Sequence, residues 1–130
     1  MNKFSRNSQE QLLTCEHDLQ EIFNHVLQIH DCKIIEGFRG EEKQNAMFDV
    51  KLSKVQYPDG KHNRKPSEAI DVAPYPIDWN DTKRFYYFAG IVKGVAASLG
   101  IKIRWGGDWD SDNDLDDQTF MDLVHFELVK

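Results

Sequence analysis

The sequence lacks a long apolar run, a surplus of basic residues and more than a single pair of cysteines. No apolar stretch approaches the roughly 20 residues of a membrane-spanning helix, and residues 1–11 are too polar to contain the apolar core of a signal peptide. We therefore expect no membrane insertion, and synthesis in the cytoplasm without an export signal. Cys15 and Cys32 are expected to be reduced and packed, as is usual for thiols in unexported proteins.

The charge balance excludes one large class of partner. The sequence has 16 Lys and Arg residues against 22 Asp and Glu residues, a net charge of -6. Binding to nucleic acid requires a clustered surplus of basic side chains, so we expect no nucleic-acid partner. The hydrophobic fraction of 40% is that of a folded globular protein, and 130 residues suffice for one core. We expect a single domain over residues 1–130 and a monomer.

Hydrophobic periodicity predicts an α+β fold with a small, mostly antiparallel sheet. Helices are predicted where apolar residues recur at intervals of three and four, one or two over 9–29 and one over 82–99, and a further helix is predicted over 41–48, after Gly40. Strands are predicted where short apolar runs lie between turn residues: 32–38, 69–73, 101–105 and 124–128. Asp18 is the expected N-cap of the second helical run. The polar segment 52–65 and the acidic segment 106–119 are predicted loops, and loops of this length are often functional.

Two histidines and one aspartate occupy positions where a polar side chain needs an explanation. Asp71 lies inside the apolar run 69–73, where a buried carboxylate must be paired, hydrogen-bonded or bound to metal. His62 precedes this strand in the polar loop, and His125 lies between two apolar residues of the last predicted strand. Two histidines and a carboxylate hold a catalytic zinc with an open fourth position. The residues alone leave two interpretations open, a metal site or satisfied buried polar groups, because no local spacing motif joins them.

The other histidines carry less information. His17, His25 and His30 lie in or beside the predicted N-terminal helices. Histidines at such positions are usually surface or half-buried helix residues. We therefore expect them to take no part in a functional site.

Six short blocks follow one another along the chain: IEGFR at 35–39, GKHN at 60–63, PSEAID at 66–71, PYPIDW at 74–79, WGGDW at 105–109 and DLVHFE at 122–127. Together with Gln44 and Ser53, these blocks resemble the zinc peptidase family of D-alanyl-D-alanine carboxypeptidases and L-alanyl-D-glutamate endopeptidases. Phage endolysins are prominent members of that family. The resemblance covers most of the chain and departs at one point: the spacing from His62 to Asp71 is longer than usual, and Ser67 stands near a position where glycine is common.

The resemblance implies a fold of the hedgehog and D-alanyl-D-alanine peptidase type, with zinc (Zn²⁺) held by His62, Asp71 and His125. Asp122 matches the family's catalytic carboxylate, which acts as general base toward water activated at the metal. Residues three apart on a regular strand point to opposite faces. Asp122 and His125 therefore converge only if Asp122 lies in the turn before the strand, and we expect it there.

The resemblance also implies a substrate, the stem peptide of bacterial peptidoglycan. Arg39 matches a family arginine that could bind a developing oxyanion or a substrate carboxylate, and Ser53 and Trp109 match positions that contact the peptide. The preferred function is an endopeptidase that cuts between L-alanine and D-glutamate and reaches the wall through a separate pore, as phage endolysins do. Two alternatives remain, a D-alanyl-D-alanine carboxypeptidase and a non-catalytic wall-binding protein stabilised by zinc.

Acidic residues alternate along segment 108–117 in a way that suggests calcium binding. The segment does not match the EF-hand pattern, because it lacks the glycine in mid-loop and the closing glutamate. A solvated acidic loop is the preferred interpretation, and calcium binding remains an open alternative.

Overall fold

The computed structural model describes residues 2–113 and 122–130, and it has the predicted α+β fold. Its α-helices are α1 (Arg6–Leu12), α2 (His17–Ile29), α3 (Glu41–Asp49) and α4 (Thr82–Ser98). Its strands are β1 (Cys32–Glu36), β2 (Ala69–Pro74), β3 (Ile103–Gly106) and β4 (Asp122–Leu128). A 3-10 turn at Lys61–Asn63 lies within the segment predicted as a loop. No helix in the described ranges is long and apolar enough to cross a membrane.

The described strands form one antiparallel sheet in the order β1-β2-β4-β3. The central pair places Asp71 of β2 opposite His125 of β4, and Ile70 opposite Phe126. Because successive side chains of a strand point to opposite faces, the polar pair and the apolar pair lie on different faces. The sheet therefore has a polar face and an apolar face.

The apolar face packs against α2 and α4. The ring of Phe126 lies edge-to-face with Phe23 of α2 and with Phe88 of α4, at centroid distances of 5.6 and 6.3 Å. The helical residues buried in this layer recur at the predicted intervals of three and four: Leu19, Ile22, Phe23, Val26 and Leu27 of α2, and Phe85, Phe88, Ala89, Val92 and Ala96 of α4. Cys15 and Cys32 are buried in the same layer as free thiols, as expected.

The N-terminal helices differ in detail from the prediction. The helical segment divides into two helices, and α1 begins before residue 9 because Ser5 caps it by accepting a hydrogen bond from the amide of Ser8. The assignment of Asp18 as N-cap is wrong, since Glu16 precedes the first helical residue and Asp18 lies in the first turn. The amide of Glu16 donates to the carbonyl of Ser67, which fixes the chain immediately before α2.

Three strand boundaries also differ from the prediction. Strand β1 ends at Glu36, because the amides of Gly37 and Phe38 donate to side chains of α1 and the following turn rather than to a strand. Strand β3 begins at Ile103, since the amide of Ile101 still donates to a carbonyl of α4. Strand β4 begins at Asp122 rather than at residue 124.

Candidate active site

Three acceptor atoms from three separate elements meet on the polar face of the sheet. Nε2 of His62 lies 3.2 Å from Oδ1 of Asp71 and 3.3 Å from Nδ1 of His125. That Nδ1 lies 3.3 Å from the same carboxylate oxygen. All three side chains are buried, with 8% exposure at most. The structure therefore brings together the three residues of the expected ligand set, whereas His17 and His25 are exposed and His30 lies partly exposed at the end of α2.

The remaining ring nitrogen of each candidate ligand histidine makes a hydrogen bond that favours one position of the ring proton. Nδ1 of His62 lies 2.7 Å from the carbonyl oxygen of Gly37, and Nε2 of His125 lies 2.8 Å from Oε1 of Glu127. Because a carbonyl and a carboxylate only accept, each neutral ring donates an N–H there and directs a lone pair toward Asp71. Two lone pairs and a carboxylate that face one another form a group that can bind a cation, either a metal ion or a proton on one of the rings.

The donor set and its spacing fit zinc. With bonds of about 2.0–2.1 Å to nitrogen or oxygen, the ligand atoms of a tetrahedral zinc site lie about 3.3 Å apart. The three separations here have that size. Two histidines and one carboxylate would also leave a fourth position for water or substrate.

Local hydrogen bonds explain how His62 reaches the sheet. The turn Lys61–Asn63 follows Gly60, whose amide donates to Oδ1 of Asn63 at 2.9 Å. Nδ2 of Asn63 donates to the carbonyl of Arg39, and the amide of Arg39 donates to the carbonyl of His62. A Cβ atom at position 60 would lie 2.7 Å from Oδ1 of Asn63, so this close turn favours glycine. The turn is thereby tied to the segment that follows β1.

Asp122 joins the site through an irregularity in β4. The expectation that it lies in a turn before the strand is wrong, because Asp122 is the first residue of β4. The alternation of side chains is broken instead by a register shift, since Trp105 pairs with Phe126 but the next residue, Gly106, pairs with Asp122. A Cβ on Gly106 would lie 2.0 Å from the carbonyl oxygen of Asp122, so the approach requires glycine. The extra residues on β4 let Asp122 and His125 line the same cleft.

A buried arginine holds the second oxygen of Asp71. Nη2 of Arg39 donates to Oδ2 of Asp71 at 3.1 Å, and Nε donates to Oε1 of Glu36 at 2.7 Å. Nη1 donates to Oε1 of Gln44 at 3.1 Å. Arg39 is only 5% exposed, so its guanidinium group orients a candidate metal ligand. It also lines the cleft, and its predicted contact with substrate stays a prediction.

A cleft of about 550 Å³ opens beside these groups. The three residues predicted to contact substrate, Arg39, Ser53 and Trp109, all line it, together with Asp122. Oγ of Ser53 accepts a hydrogen bond from the side-chain amide of Gln44 at 2.9 Å. The ring of Trp109 lies 5.2 Å from the ring of His125. The cleft thus joins the candidate metal ligands to the candidate substrate contacts.

The charges of the site shift several pKa values. Burial raises the pKa of Asp71, but the charge of His62 and the hydrogen bonds with His125 and His62 outweigh burial and hold that pKa below its ordinary value. Burial lowers the pKa of His125, whereas hydrogen bonds with Asp71 and Glu127 raise it, to about 9. Burial and the charge of Asp71 raise the pKa of Asp122. A carboxylate with a raised pKa is a stronger proton acceptor than an ordinary aspartate.

Three buried polar residues of the site were not predicted from the sequence: Glu36, Gln44 and Glu127. Glu127 had a usable signal, because it lies two residues after His125 and therefore on the same face of the strand. Glu36 and Gln44 are among the residues that resemble the peptidase family, but a glutamate and a glutamine at these positions did not by themselves indicate a role in the site. Their contacts with Arg39 depend on how the chain folds after β1.

The acidic loop contains a second group of possible metal ligands. Carboxylate oxygens of Asp108, Asp110 and Asp112 lie within 4.8 Å of one another. Asp108 is 2% exposed, its Oδ2 accepts from the amide of Asn113, and its Oδ1 has no hydrogen-bond partner within the described ranges. The rest of the predicted acidic segment, 114–117, lies outside the described residues. Calcium binding by this loop stays the open alternative to a solvated acidic loop.

Known proteins resemble the chain over nearly its whole length. A family model described as phage L-alanyl-D-glutamate peptidase matches residues 1–129. The L-alanyl-D-glutamate peptidase of Escherichia phage T5 is 33% identical over 137 aligned residues, which cover 98% of each chain. The crystal structure of the Serratia marcescens L-Ala D-Glu endopeptidase ChiX superposes with a TM-score of 0.75 at 24% identity, covering 97% of this chain and 89% of that one. The structural match shows a shared fold.

Proposed function

The chain belongs to the phage L-alanyl-D-glutamate peptidase family, and from this premise we propose that it cuts peptidoglycan stem peptides between L-alanine and D-glutamate as a zinc enzyme. The observation that carries the proposal is the meeting of acceptor atoms from His62, Asp71 and His125, beside a cleft that both histidines and Asp122 line. These three residues would hold the metal. When bound, zinc supplies Lewis acidity, which polarises a carbonyl and lowers the pKa of water.

Asp122 is the proposed general base. It lines the cleft beside the candidate metal ligands, and burial and the charge of Asp71 raise its pKa. Its carboxylate would take a proton from the attacking water and then deliver that proton to the amino group that leaves with D-glutamate. The cleavage therefore needs no further proton donor from the described part of the chain.

The other residues of the site position groups and substrate. Arg39 engages Oδ2 of Asp71, so that Oδ1 faces the histidines. We assign Ser53 and Trp109 to contacts with the stem peptide, because both line the cleft and Trp109 also lies against the ring of His125.

Mass spectrometry of wall fragments after digestion tests which bond is cut. We expect new free amino termini on D-glutamate, and none with the His125→Ala variant. Loss of terminal D-alanine would instead assign the carboxypeptidase alternative. Intact stem peptides combined with tight binding to the wall would support the non-catalytic alternative and overturn the proposed activity.

Metal analysis tests the ligand set. We expect stoichiometric zinc in the wild-type protein and a large loss of zinc in His125→Ala, because the imidazole ring of His125 supplies one of the three candidate ligand atoms. The matched control is His25→Ala, whose exposed ring lies on α2 and should leave the zinc content unchanged. Near-full zinc occupancy in His125→Ala would remove this residue from the ligand set.

The proposal also includes the oligomeric state of the protein and the place where it acts. All candidate site residues come from one chain, so the monomer expected from the sequence suffices for the reaction, and light scattering would test it. We further propose that the protein is made in the cytoplasm and reaches the wall through a separate membrane pore. Lysis that occurs without any pore-forming partner would contradict this route.

A further inference from the structure

A second carboxylate of β4 contacts a candidate metal ligand from the side away from the cluster of acceptors. Nδ1 of His125 faces Asp71 and His62, whereas Nε2 of the same ring lies 2.8 Å from Oε1 of Glu127. Glu127 is 8% exposed. It shares a strand face with His125, because the two residues are two positions apart. The imidazole ring therefore lies between the acceptor cluster and Glu127.

The other oxygen of Glu127 is also engaged. Oε2 lies 3.2 Å from Nζ of Lys61 and 3.9 Å from Nε of Arg104. Lys61 also donates to the main-chain carbonyl of Leu128. Since Lys61 directly precedes His62 in the 3-10 turn, a chain of polar contacts links the element that carries one candidate ligand to the strand that carries another.

We propose that Glu127 is a positioning residue of the metal centre, which accepts the Nε2–H of His125 and thereby presents the lone pair of Nδ1 to the metal, with Lys61 holding Glu127 in place. A neutral histidine carries its proton on one nitrogen only, so an obligatory acceptor at Nε2 selects the Nδ1 lone pair for binding. The zinc identity in this inference rests on the proposed function.

The same geometry argues against Glu127 as the general base. Its two oxygens are occupied by His125 on one side and by Lys61 on the other. The His125 ring also separates it from the point where the acceptor atoms meet. Asp122 differs from Glu127 in that its carboxylate is not the acceptor of that ring's Nε2.

The test is the affinity for Zn²⁺, measured by competition with a chromogenic chelator. In Glu127→Gln the side-chain amide can donate as well as accept, so it no longer forces the proton onto Nε2 of His125. We expect zinc to bind about ten- to hundredfold more weakly. Lys61→Met, which leaves the carboxylate in place, should weaken binding by a smaller factor. The matched control is Glu68→Gln, which removes the carboxylate that pairs with Arg64 and should leave the affinity unchanged.

A second measurement separates positioning from catalysis. In zinc-loaded wild-type protein, ¹⁵N NMR should show Nδ1 of His125 bound to the metal and a protected Nε2–H proton. That proton should exchange faster with solvent in Glu127→Gln. At saturating zinc the kcat of this variant should fall by a much smaller factor than the kcat of Asp122→Asn.

The outcomes are distinguishable from those of the proposed function. Unchanged zinc affinity and an unchanged Nε2–H signal in Glu127→Gln would overturn the positioning role, and so would normal zinc affinity combined with loss of kcat. Weakened zinc binding in a protein that leaves wall peptides intact would overturn the proposed function and support the positioning role. Failure of the wild-type protein to bind Zn²⁺ would overturn both.

Discussion

The two faces of the central strand pair differ in chemistry although both are buried. Phe126 is fully buried on one face and contacts rings of α2 and α4. His125, its neighbour in sequence, is 8% exposed on the other face, where it meets Asp71 and His62. Burial alone therefore does not distinguish core from site. The distinction lies in whether the buried atoms need polar partners, because an unpaired buried polar group is costly.

The difference between the faces extends to ionisation. On the apolar side, burial raises the pKa of Cys15 and of Cys32, each to about 12, because an apolar layer disfavours the thiolate. On the polar side, burial also raises the pKa of Asp71, but the neighbouring histidines reverse the effect and keep it ionised. The sheet thus separates an environment that suppresses charge from one that stabilises it.

The largest expected effect comes from removing a buried aromatic ring on the apolar face of the sheet. Phe126→Ala should lower the free energy of unfolding by about 3–5 kcal/mol, because a fully buried ring leaves a cavity against α2 and α4. Urea unfolding of the metal-free protein measures this loss. His125→Ala, one residue away, should cost the metal-free protein only about 1–2 kcal/mol, since Arg39 still pairs with Asp71.

An exposed aromatic residue gives the control for that experiment. Tyr87→Ala removes a ring of α4 that is 67% exposed and should change the free energy of unfolding by much less than Phe126→Ala. Equal losses for Phe126→Ala and His125→Ala would mean that the polar face contributes to the metal-free fold as strongly as the core does. The contrast between the two faces would then fail.

The next effect concerns chemistry on the polar face. Asp122→Asn keeps the size of the side chain but cannot accept a proton, so the chemical step should slow by roughly a hundredfold or more. Zinc content and melting temperature should stay near wild type, because the three candidate metal ligands are His62, Asp71 and His125, and Asp122 is not one of them. Wall hydrolysis, metal analysis and thermal unfolding check the three expectations.

A surface carboxylate provides the comparison for this variant. Asp49→Asn changes an exposed residue at the end of α3 and should leave hydrolysis unchanged. Loss of zinc in Asp122→Asn would make Asp122 a ligand rather than a base. Hydrolysis at the wild-type rate would place the base elsewhere in the chain.

The sequence already indicated several residues on the two faces of the sheet. Period-two alternation placed His125 and Phe126 in one strand, and a carboxylate within an apolar run singled out Asp71. Helical periodicity similarly predicted most of the buried residues of α2 and α4, although it also included Ile29, which is 62% exposed. These features are local in sequence, so a pattern of a few residues suffices to reveal them.

The sequence could not reveal features that arise from long-range pairing. The register shift that brings Asp122 into the cleft depends on Gly106, which lies on another strand. The contacts of Arg39 with Glu36 and Asp71 depend on the course of the chain after β1. Arg39 was expected to contact substrate because it matches an arginine of the family that the sequence resembles, and nothing in its neighbours' types indicated that one of its donors holds Asp71.

A smaller effect is expected from Gln44, which connects the polar face to the wall of the cleft. Its side chain accepts from Arg39 and donates to Ser53 and to the carbonyl of Val55. Gln44→Ala would leave these groups without their partner, so the free energy of unfolding should fall by about 1–3 kcal/mol. Hydrogen exchange should also become faster in the segment around Val55. Gln28→Ala, at an exposed position of α2, should change neither quantity, and slow exchange near Val55 in Gln44→Ala would show that other contacts hold the segment.

The smallest expected effect, counted per pH unit, tests whether the apolar face suppresses ionisation of its thiols. Above pH 9 the thiols of the unfolded chain lose their protons, whereas burial raises the pKa of Cys15 and of Cys32 in the folded protein to about 12. The unfolded state then binds fewer protons than the folded state, so stability falls as pH rises through this range, by about 1 kcal/mol per pH unit for each thiol.

Replacing both thiols isolates this contribution, because lysines and tyrosines titrate alike in the two proteins. In the double variant Cys15→Ala, Cys32→Ala, the free energy of unfolding should fall less steeply between pH 9 and about pH 10.5 than in the wild-type protein. Each single variant should remove about half of the difference. Urea unfolding at several pH values measures the slopes. Identical slopes would show that water or a charge reaches the thiols, and that the apolar face does not suppress ionisation as the burial of Cys15 and Cys32 requires.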